Sequence, residues 1–242
     1  MRVPKKQRAQ EHSRRHHPPA TPLEEEESGP VQRQVIIGVD EVGVGPIAGP
    51  IVVAAVALRP PTPFLLQFSK EWWPLADVRD SKKISKKKLP LVFDSLMAFL
   101  IDQCGEVGWG IASVAEIDAL GHADAYYRAL TAAARNVSDA LEEEHKLLVV
   151  DGVNLIPGVT RQVAVPKADQ SVFVVAAASI IAKVTRDRIM TELGETYPEY
   201  GFRTNAGYGT KTHIEALLAH GPSPHHRAKA TATTIRNAKA KL

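Results

Sequence analysis

Val35–Pro50, VIIGVDEVGVGPIAGP, carries an apolar, β-branched run into two adjacent carboxylates and then into a turn rich in glycine and proline. Val35, Ile36 and Ile37 have the composition of a buried strand. Asp40 and Glu41 follow at its end. Gly43, Gly45, Pro46, Gly49 and Pro50 then enforce an irregular loop before Ile51–Leu58 (IVVAAVAL) begins a second apolar strand. Paired acids repel each other, and a buried carboxylate is costly unless it is paired or bound to metal. Hard oxygen ligands beside bare backbone amides suit a divalent cation and a phosphate. The stretch also reads as a hairpin whose acids face solvent, and alone it does not separate the two.

Outward from this stretch, strand signals recur over 106–113 (EVGWGIAS) and 147–151 (LLVVD), with a weaker one over 162–165. Helical patterns occupy 85–103, 115–142 and 171–195, the second weakened by Gly121, the third bracketed by Gly194 and Pro198. Short early turns imply antiparallel strands, and strand–helix–strand later implies parallel ones. The expected class is α/β: a mixed sheet flanked by helices, with a C-terminal helical extension. One domain is expected over 34–227. Residues 1–33, with Pro18, Pro19 and Pro22 among basic and acidic runs, read as a disordered tail dispensable for chemistry. Residues 228–242 read as a basic C-terminal tail.

The 242 residues, 44% of them hydrophobic, suffice for one substantial core. The formal charge is only +3, but from Arg203 to Leu242 seven Lys and Arg face one acid, Glu215. That asymmetry favours a polyanionic partner, although a solvated basic helix has the same composition. The single cysteine, Cys104, excludes an internal disulfide, reads as a core residue and fits a reducing compartment, the cytoplasm. No segment approaches the roughly 20 apolar residues of a membrane span, so no membrane partner is expected. The nine histidines show no metal-ligand spacing that would suggest zinc.

Asp151 ends another apolar strand and precedes Gly152, at the edge where open α/β sheets place ligands. Asp169 stands immediately before the helix SVFVVAAASIIAKVTRD, where an N-cap role is the ordinary one. Each acid alone reads as structural; four at the ends of apolar elements are harder to explain that way. The chemistry that needs such a cluster is metal-assisted phosphodiester hydrolysis, with two Mg²⁺ or Mn²⁺ ions about 4 Å apart. Adjacent strand residues point to opposite faces. Asp40 and Glu41 can therefore share one site only if the strand breaks between them and the glycine loop.

These residues carry a resemblance. GVDEVGVGPIAGPIVVAAV resembles the DEAGRGP-type opening of the ribonuclease HII (type 2 ribonuclease H) family, and Asp80-Ser81-Lys82-Lys83 its DSKK element. Val150-Asp151-Gly152, KADQSVFVVAAASIIAKVTRD, Gly207-Tyr208-Gly209-Thr210-Lys211 with His213, and Gly221-Pro222-Ser223-Pro224 with His226-Arg227 follow in the family's order over about 35–227. The resemblance implies an RNase H-like fold. It also implies cleavage of RNA in RNA–DNA hybrids and incision at single ribonucleotides in duplex DNA, leaving 3′-hydroxyl and 5′-phosphate ends. Its metal-binding acids fall on Asp40, Glu41, Asp151 and Asp169, with Mn²⁺ or Mg²⁺ as cofactor. Gly43, Val44 and Gly45 correspond to the loop that approaches the ribonucleotide, and Tyr208 to the tyrosine that packs on its sugar. Lys82, Lys83, Lys211, His213 and Arg227 match positions expected to hold phosphates, and a monomer is expected.

One departure is visible: the family's Gly-Arg-Gly is Gly43-Val44-Gly45 here. A charged phosphate contact is worth about 1.5–3 kcal/mol, so its loss bears on affinity and junction preference. A hybrid-binding homologue of weakened activity is one rival reading, but binding alone has no use for a repulsive carboxylate cluster. Two further expectations concern packing. Ala176-Ala177-Ala178-Ser179 lets a helix lie close to the sheet, with Ser179 read as a packing residue, and Trp72 and Trp73 read as a hydrophobic cap over the sheet edge.

Overall fold

A computed structural model describes residues 35–58, 75, 77–78, 81–141 and 145–240, which belong to one compact unit over 33–242. Five strands form one sheet: β1 (Val35–Val42), β2 (Ile51–Ala57), β3 (Glu106–Ala112), β4 (Lys146–Asp151) and β5 (Gln162–Val165). Their order is β3-β2-β1-β4-β5. The early strands pair antiparallel and β1-β4-β5 pair parallel, so the sheet is mixed as the turn lengths predict. The 1–33 tail and the Trp72-Trp73 pair lie outside the described residues.

Strand alternation divides the core between two faces. Ile36, Val52, Ala54 and Val56 pack against α4 (Phe173–Thr196). Val35, Ile37, Val39, Val53 and Ala55 pack against the other long helix, His122–Ser138. That helix is the second half of the region expected as one helix over 115–142. Gly121, at φ 86° and ψ 155°, separates α2 (Val114–Leu120) from α3 (His122–Ser138). A glycine takes that conformation at little cost. Ser113 and Glu116 then form a capping box that starts α2.

Both helices approach the sheet where it carries glycine. A Cβ on Gly38 would lie 2.4 Å from backbone atoms of Val174 and Val175, and one on Gly110 1.9 Å from the Ala129 carbonyl oxygen. On the α4 side the close approach is made at Val174 and Val175, just before the small-residue run Ala176–Ser179. Residues Phe173–Ala182 are all buried, as befits a helix apolar on every side.

The helix expected over 85–103 is α1 (Leu89–Asp102), which starts beside Pro90. It ends in a turn where Cys104 sits at φ 48°. Cys104 is exposed, against its reading as core, because the chain reverses there and turns the side chain outward. Beyond α4 come α5 (Phe202–Asn205), α6 (Lys211–His220) and α7 (Ala228–Lys239). The segment read as a basic tail is thus helical over most of its length. Its inner face is only partly covered, through Ala230, Thr234, Ile235 and Ala238, and its only buried residue is Thr231. It is anchored at its start, where the Ala228 N–H donates to both Asp118 carboxylate oxygens at 3.0 and 3.2 Å. Ile47, Ala48, Met190, Tyr200, Phe202 and Leu217 form a third, smaller core beneath the glycine loop.

Candidate active site

Three of the four acids, Asp40, Glu41 and Asp151, stand at the C-terminal edge of the parallel strands, and Asp169 lies on the turn tied to that edge. In the β1–β4 register Val39 faces Val150, so the next step sets Asp40 beside Asp151. Alternation sends Asp40 to the α4 face, where the Ser179 hydroxyl donates to its carboxylate. It sends Glu41 to the α3 face, where it meets the Tyr126 hydroxyl. The strand ends at Val42 and Gly43 turns away at φ 90°, so the acids share an edge rather than a face. Asp40 Oδ1 accepts the Glu41 N–H at 2.8 Å. Asp151 Oδ1 accepts the Ala168 N–H at 2.7 Å. That bond ties the strand to the 3-10 turn Ala168–Gln170, which holds the buried Asp169.

Electrostatics record the crowding. Burial, and then the Glu41 charge, raise the Asp40 carboxyl well above the ordinary range. Burial and the Asp151 charge push Glu41 up to about 7, partly offset by Lys82. Burial and the two neighbouring carboxylates also raise the Tyr126 hydroxyl. Glu41 Oε2 is buried with no hydrogen-bond partner. An acceptor left so would ordinarily cost about 1–3 kcal/mol. Among the described residues no three acidic, His or Cys side chains are drawn together closely enough to enclose one ion, as mutual repulsion dictates. An all-carboxylate donor set with one orphaned oxygen nevertheless fits a hard divalent cation.

Next to the acids, the glycine loop is clamped from beneath by two buried arginines. Arg227 donates to the Gly43, Val44 and Gly49 carbonyls, with Nη1 2.9 Å from Val44 O and Nε 3.0 Å from Gly49 O. Arg186 donates to Pro50 O at 3.0 Å, Ala48 O at 3.1 Å and Ala206 O at 2.9 Å. A Cβ on Gly43 would lie 2.2 Å from Arg186 Nε, so glycine is required there twice over, by space and by φ. His122 Nε2–H adds a second hold on Val44 O at 2.9 Å. The loop's carbonyls are drawn inward, while Val44 and Gly45 remain exposed.

Arg227 was expected to hold phosphate; at 2% exposure its guanidinium braces the loop instead. Burial and the Arg186 charge lower it to about 10. His213 is likewise displaced from its expected phosphate role. It is fully buried and bonded to Tyr208 O and His226. Tyr208 itself is 51% exposed. Its ring stands 3.8 Å from where a Gly45 Cβ would be, which brings the expected sugar-packing residue to the glycine loop. Gly207 O accepts the Ile47 and Ala48 N–H groups at 3.0 and 3.2 Å, stapling the two loops together.

The remaining basic positions are exposed. Lys82 and Lys83 lie on the 3-10 turn Ser81–Lys83, which is anchored by Ser81 Oγ to Ser179 Oγ at 2.9 Å. Asp80 lies outside the described residues. Lys211 is almost fully exposed and 3.9 Å from Glu215. Lys183 pairs with Asp187 at 2.6 Å. Sequence reasoning missed Tyr126, Arg186 and His122 and gave Ser179 only packing. Their contacts join segments far apart in the chain and leave no periodic trace.

The model of the family Ribonuclease HII matches residues 37–234. The Ribonuclease HII of Fusobacterium nucleatum is 40% identical over 187 residues, covering 77% of this chain and 80% of that protein. That of Bacillus subtilis is 40% identical over 194 residues, covering 80% and 68%. Among solved structures, the PCNA:RNase HII complex from Archaeoglobus fulgidus aligns at TM-score 0.61 and 26% identity, over 81% of this chain and 94% of that one. Bst-RNase HIII in complex with Mn²⁺ aligns at TM-score 0.65, over 86% and 71%; at 18% identity this supports the fold alone. Among the described residues no helix is long and apolar enough to cross a membrane. The family match over most of the chain, together with relatives 40% identical over more than two thirds of both chains, shows that the chain belongs to the ribonuclease HII family of metal-dependent ribonuclease H hydrolases.

Proposed function

We propose that this protein hydrolyses the RNA strand of RNA–DNA hybrids and incises duplex DNA 5′ of single embedded ribonucleotides, leaving 3′-hydroxyl and 5′-phosphate ends. The observation that carries this reading is the orphaned, buried Glu41 Oε2 within a group of mutually repelling acids. Asp40, Glu41, Asp151 and Asp169 would hold Mn²⁺ or Mg²⁺. Bound in pairs, such ions supply Lewis acidity that activates water and neutralises the leaving oxygen of an in-line displacement. The chain's own residues do the rest. Ser179 orients the Asp40 carboxylate, the Ala168 amide orients that of Asp151, and Lys82 offsets charge beside Glu41. The exposed Gly45 lies beside the Tyr208 ring, a combination of bare backbone and aromatic face suited to a sugar edge. The 2′-hydroxyl is the group that distinguishes RNA from DNA, while basic side chains hold the backbone without reading bases. Lys82, Lys83 and Lys211 are the exposed candidates for that role.

The assay that tests this compares an RNA–DNA hybrid, a DNA duplex with one ribonucleotide and an all-DNA duplex, each with Mn²⁺ or Mg²⁺. Cleavage of the first two and not the third is expected. Cutting of all-DNA duplex, or of neither ribonucleotide substrate, overturns the proposal.

Val44 favours a second reading in one respect, an altered junction preference. Its side chain is 37% exposed and uncharged where the family's pattern has arginine. Its carbonyl is held by Arg227 and His122, so the backbone of the loop does not depend on the side chain. Val44→Arg is therefore expected to keep the fold, tighten substrate binding and steepen the log–log salt dependence by about one unit, one more phosphate being neutralised. Affinities of the two forms that coincide across a salt series would show that position 44 makes no phosphate contact.

A further inference from the structure

His213 and His226 form a buried ring pair with Nε2 atoms 2.9 Å apart. Its hydrogen bonds admit one arrangement. Tyr208 O can only accept, so His213 Nδ1, 2.8 Å away, carries a proton. The Ser223 N–H donates to His226 Nδ1 at 2.9 Å, with the Ser223 hydroxyl 2.8 Å from the same atom. His226 Nδ1 is therefore the acceptor and His226 Nε2 bears the proton. The bond between the rings then runs from His226 Nε2–H to His213 Nε2. Burial lowers both rings, His226 to about 4 with the help of its neighbour, so both are neutral near pH 7. The pair lies among Tyr200 and Phe202, with ring centroids 4.7–6.3 Å from theirs.

The relay has a direction and an end. It starts at Ser223, passes through two rings and terminates on the carbonyl of Tyr208, the exposed residue whose ring faces Gly45. Tyr208 O accepts a second bond from the Thr210 N–H at 2.8 Å. With Gly207 and Ala206 both at positive φ just before it, this turn is held by hydrogen bonds rather than by helix or strand. We infer that His213 and His226 are positioning residues for substrate recognition: through the Tyr208 carbonyl they fix the tyrosine ring at the height at which it meets the sugar of the ribonucleotide. The inference rests on the reading of Tyr208 given above.

The test is a double-mutant cycle on cleavage of DNA carrying one ribonucleotide, run on the full chain with Mn²⁺. His226→Phe keeps ring volume but cannot donate to His213. His226→Gln retains a donor. Misplacing a contact group costs about 10- to 100-fold in kcat/KM. His226→Phe and Tyr208→Ala are each expected to fall in that range. In the Tyr208→Ala background, adding His226→Phe should cost less than about twofold, since coupled residues do not add. His226→Gln should recover most of the loss. Losses that multiply, or a wild-type rate in His226→Phe while Tyr208→Ala is impaired, overturn the inference alone. A wild-type rate in Tyr208→Ala overturns the reading of Tyr208 as well. Should His226→Phe fail to fold, Ser223→Ala, which removes only the hydroxyl at the far end, completes the cycle with a smaller loss that must likewise vanish in the Tyr208→Ala background.

Discussion

Asp40→Asn and Asp151→Asn are expected to lower turnover by three orders of magnitude or more, on the reasoning that losing several kcal/mol of metal-centred charge stabilisation costs about tenfold per 1.36 kcal/mol. Chelation should have the same effect on the unmodified protein, reversed by added Mn²⁺ or Mg²⁺. The sharper part of the prediction concerns stability. Glu41 titrates near 7 in the folded protein against an ordinary 4.5, mainly through burial and then Asp151. A carboxyl raised on folding binds protons more tightly in the native state, so the metal-free protein loses stability as pH rises from about 4.5 to about 7. Glu41→Gln removes that penalty. At pH 8 without metal it should be more stable than the parent by about 1–3 kcal/mol, an advantage that fades near pH 4. Added Mn²⁺ should stabilise the parent more than the variant. Thermal denaturation at pH 4 and pH 8, with and without Mn²⁺, measures all of this. A Glu41→Gln protein that is less stable at pH 8 without metal, or that keeps near-normal turnover, would remove Glu41 from the metal site.

The second large effect is expected at Arg227. Its guanidinium donates to the carbonyls of Gly43, Val44 and Gly49 from a site only 2% exposed. Arg227→Met fills similar space but leaves the Gly43 and Gly49 carbonyls in a buried setting without this donor, while Val44 O keeps only His122. Such losses cost about 1–3 kcal/mol for each group left unpaired, and about 3–5 kcal/mol is expected for the variant as a whole. Arg227→Lys should recover little, because one ammonium cannot reproduce a planar fork that reaches three carbonyls. Where the variant still folds at low temperature, cleavage of ribonucleotide-containing DNA should fall through KM more than through kcat, since the loop is the part proposed to contact substrate while the acids stay in place. Denaturant unfolding within 1 kcal/mol of the parent, together with an unchanged KM, would show that the loop holds its shape without Arg227.

Much of this protein was legible in its sequence because local patterns carry the information. The β-branched runs at 35–37, 51–58 and 147–151 state their burial directly, and all five strands fall where the patterns put them. The acids at the strand ends were legible for a similar reason: a carboxylate after an apolar run needs an explanation, and Asp40 and Asp151 do stand on neighbouring strands at one edge, with the turn that holds Asp169 tied to Asp151 through the Ala168 N–H. Gly121 announced the break between α2 and α3 without fixing it, since only φ 86° converts a weak helical position into a corner. The basic residues near the C-terminus were legible only as charge. Composition cannot separate Lys211, almost fully exposed, from Arg227, buried under a loop 184 residues earlier in the chain. A guanidinium satisfied by backbone carbonyls leaves no partner to find in sequence, because every residue has a carbonyl. His213 and His226 show the same limit. Their spacing has no meaning on a helix or strand, and their pairing exists only because the third small core folds both onto Tyr200 and Phe202. Sequence alone therefore determined the five strands and the carboxylates that end two of them. Tertiary structure decided which cations stay exposed and which brace the loop, because that depends on desolvation and long-range hydrogen bonds rather than on residue type.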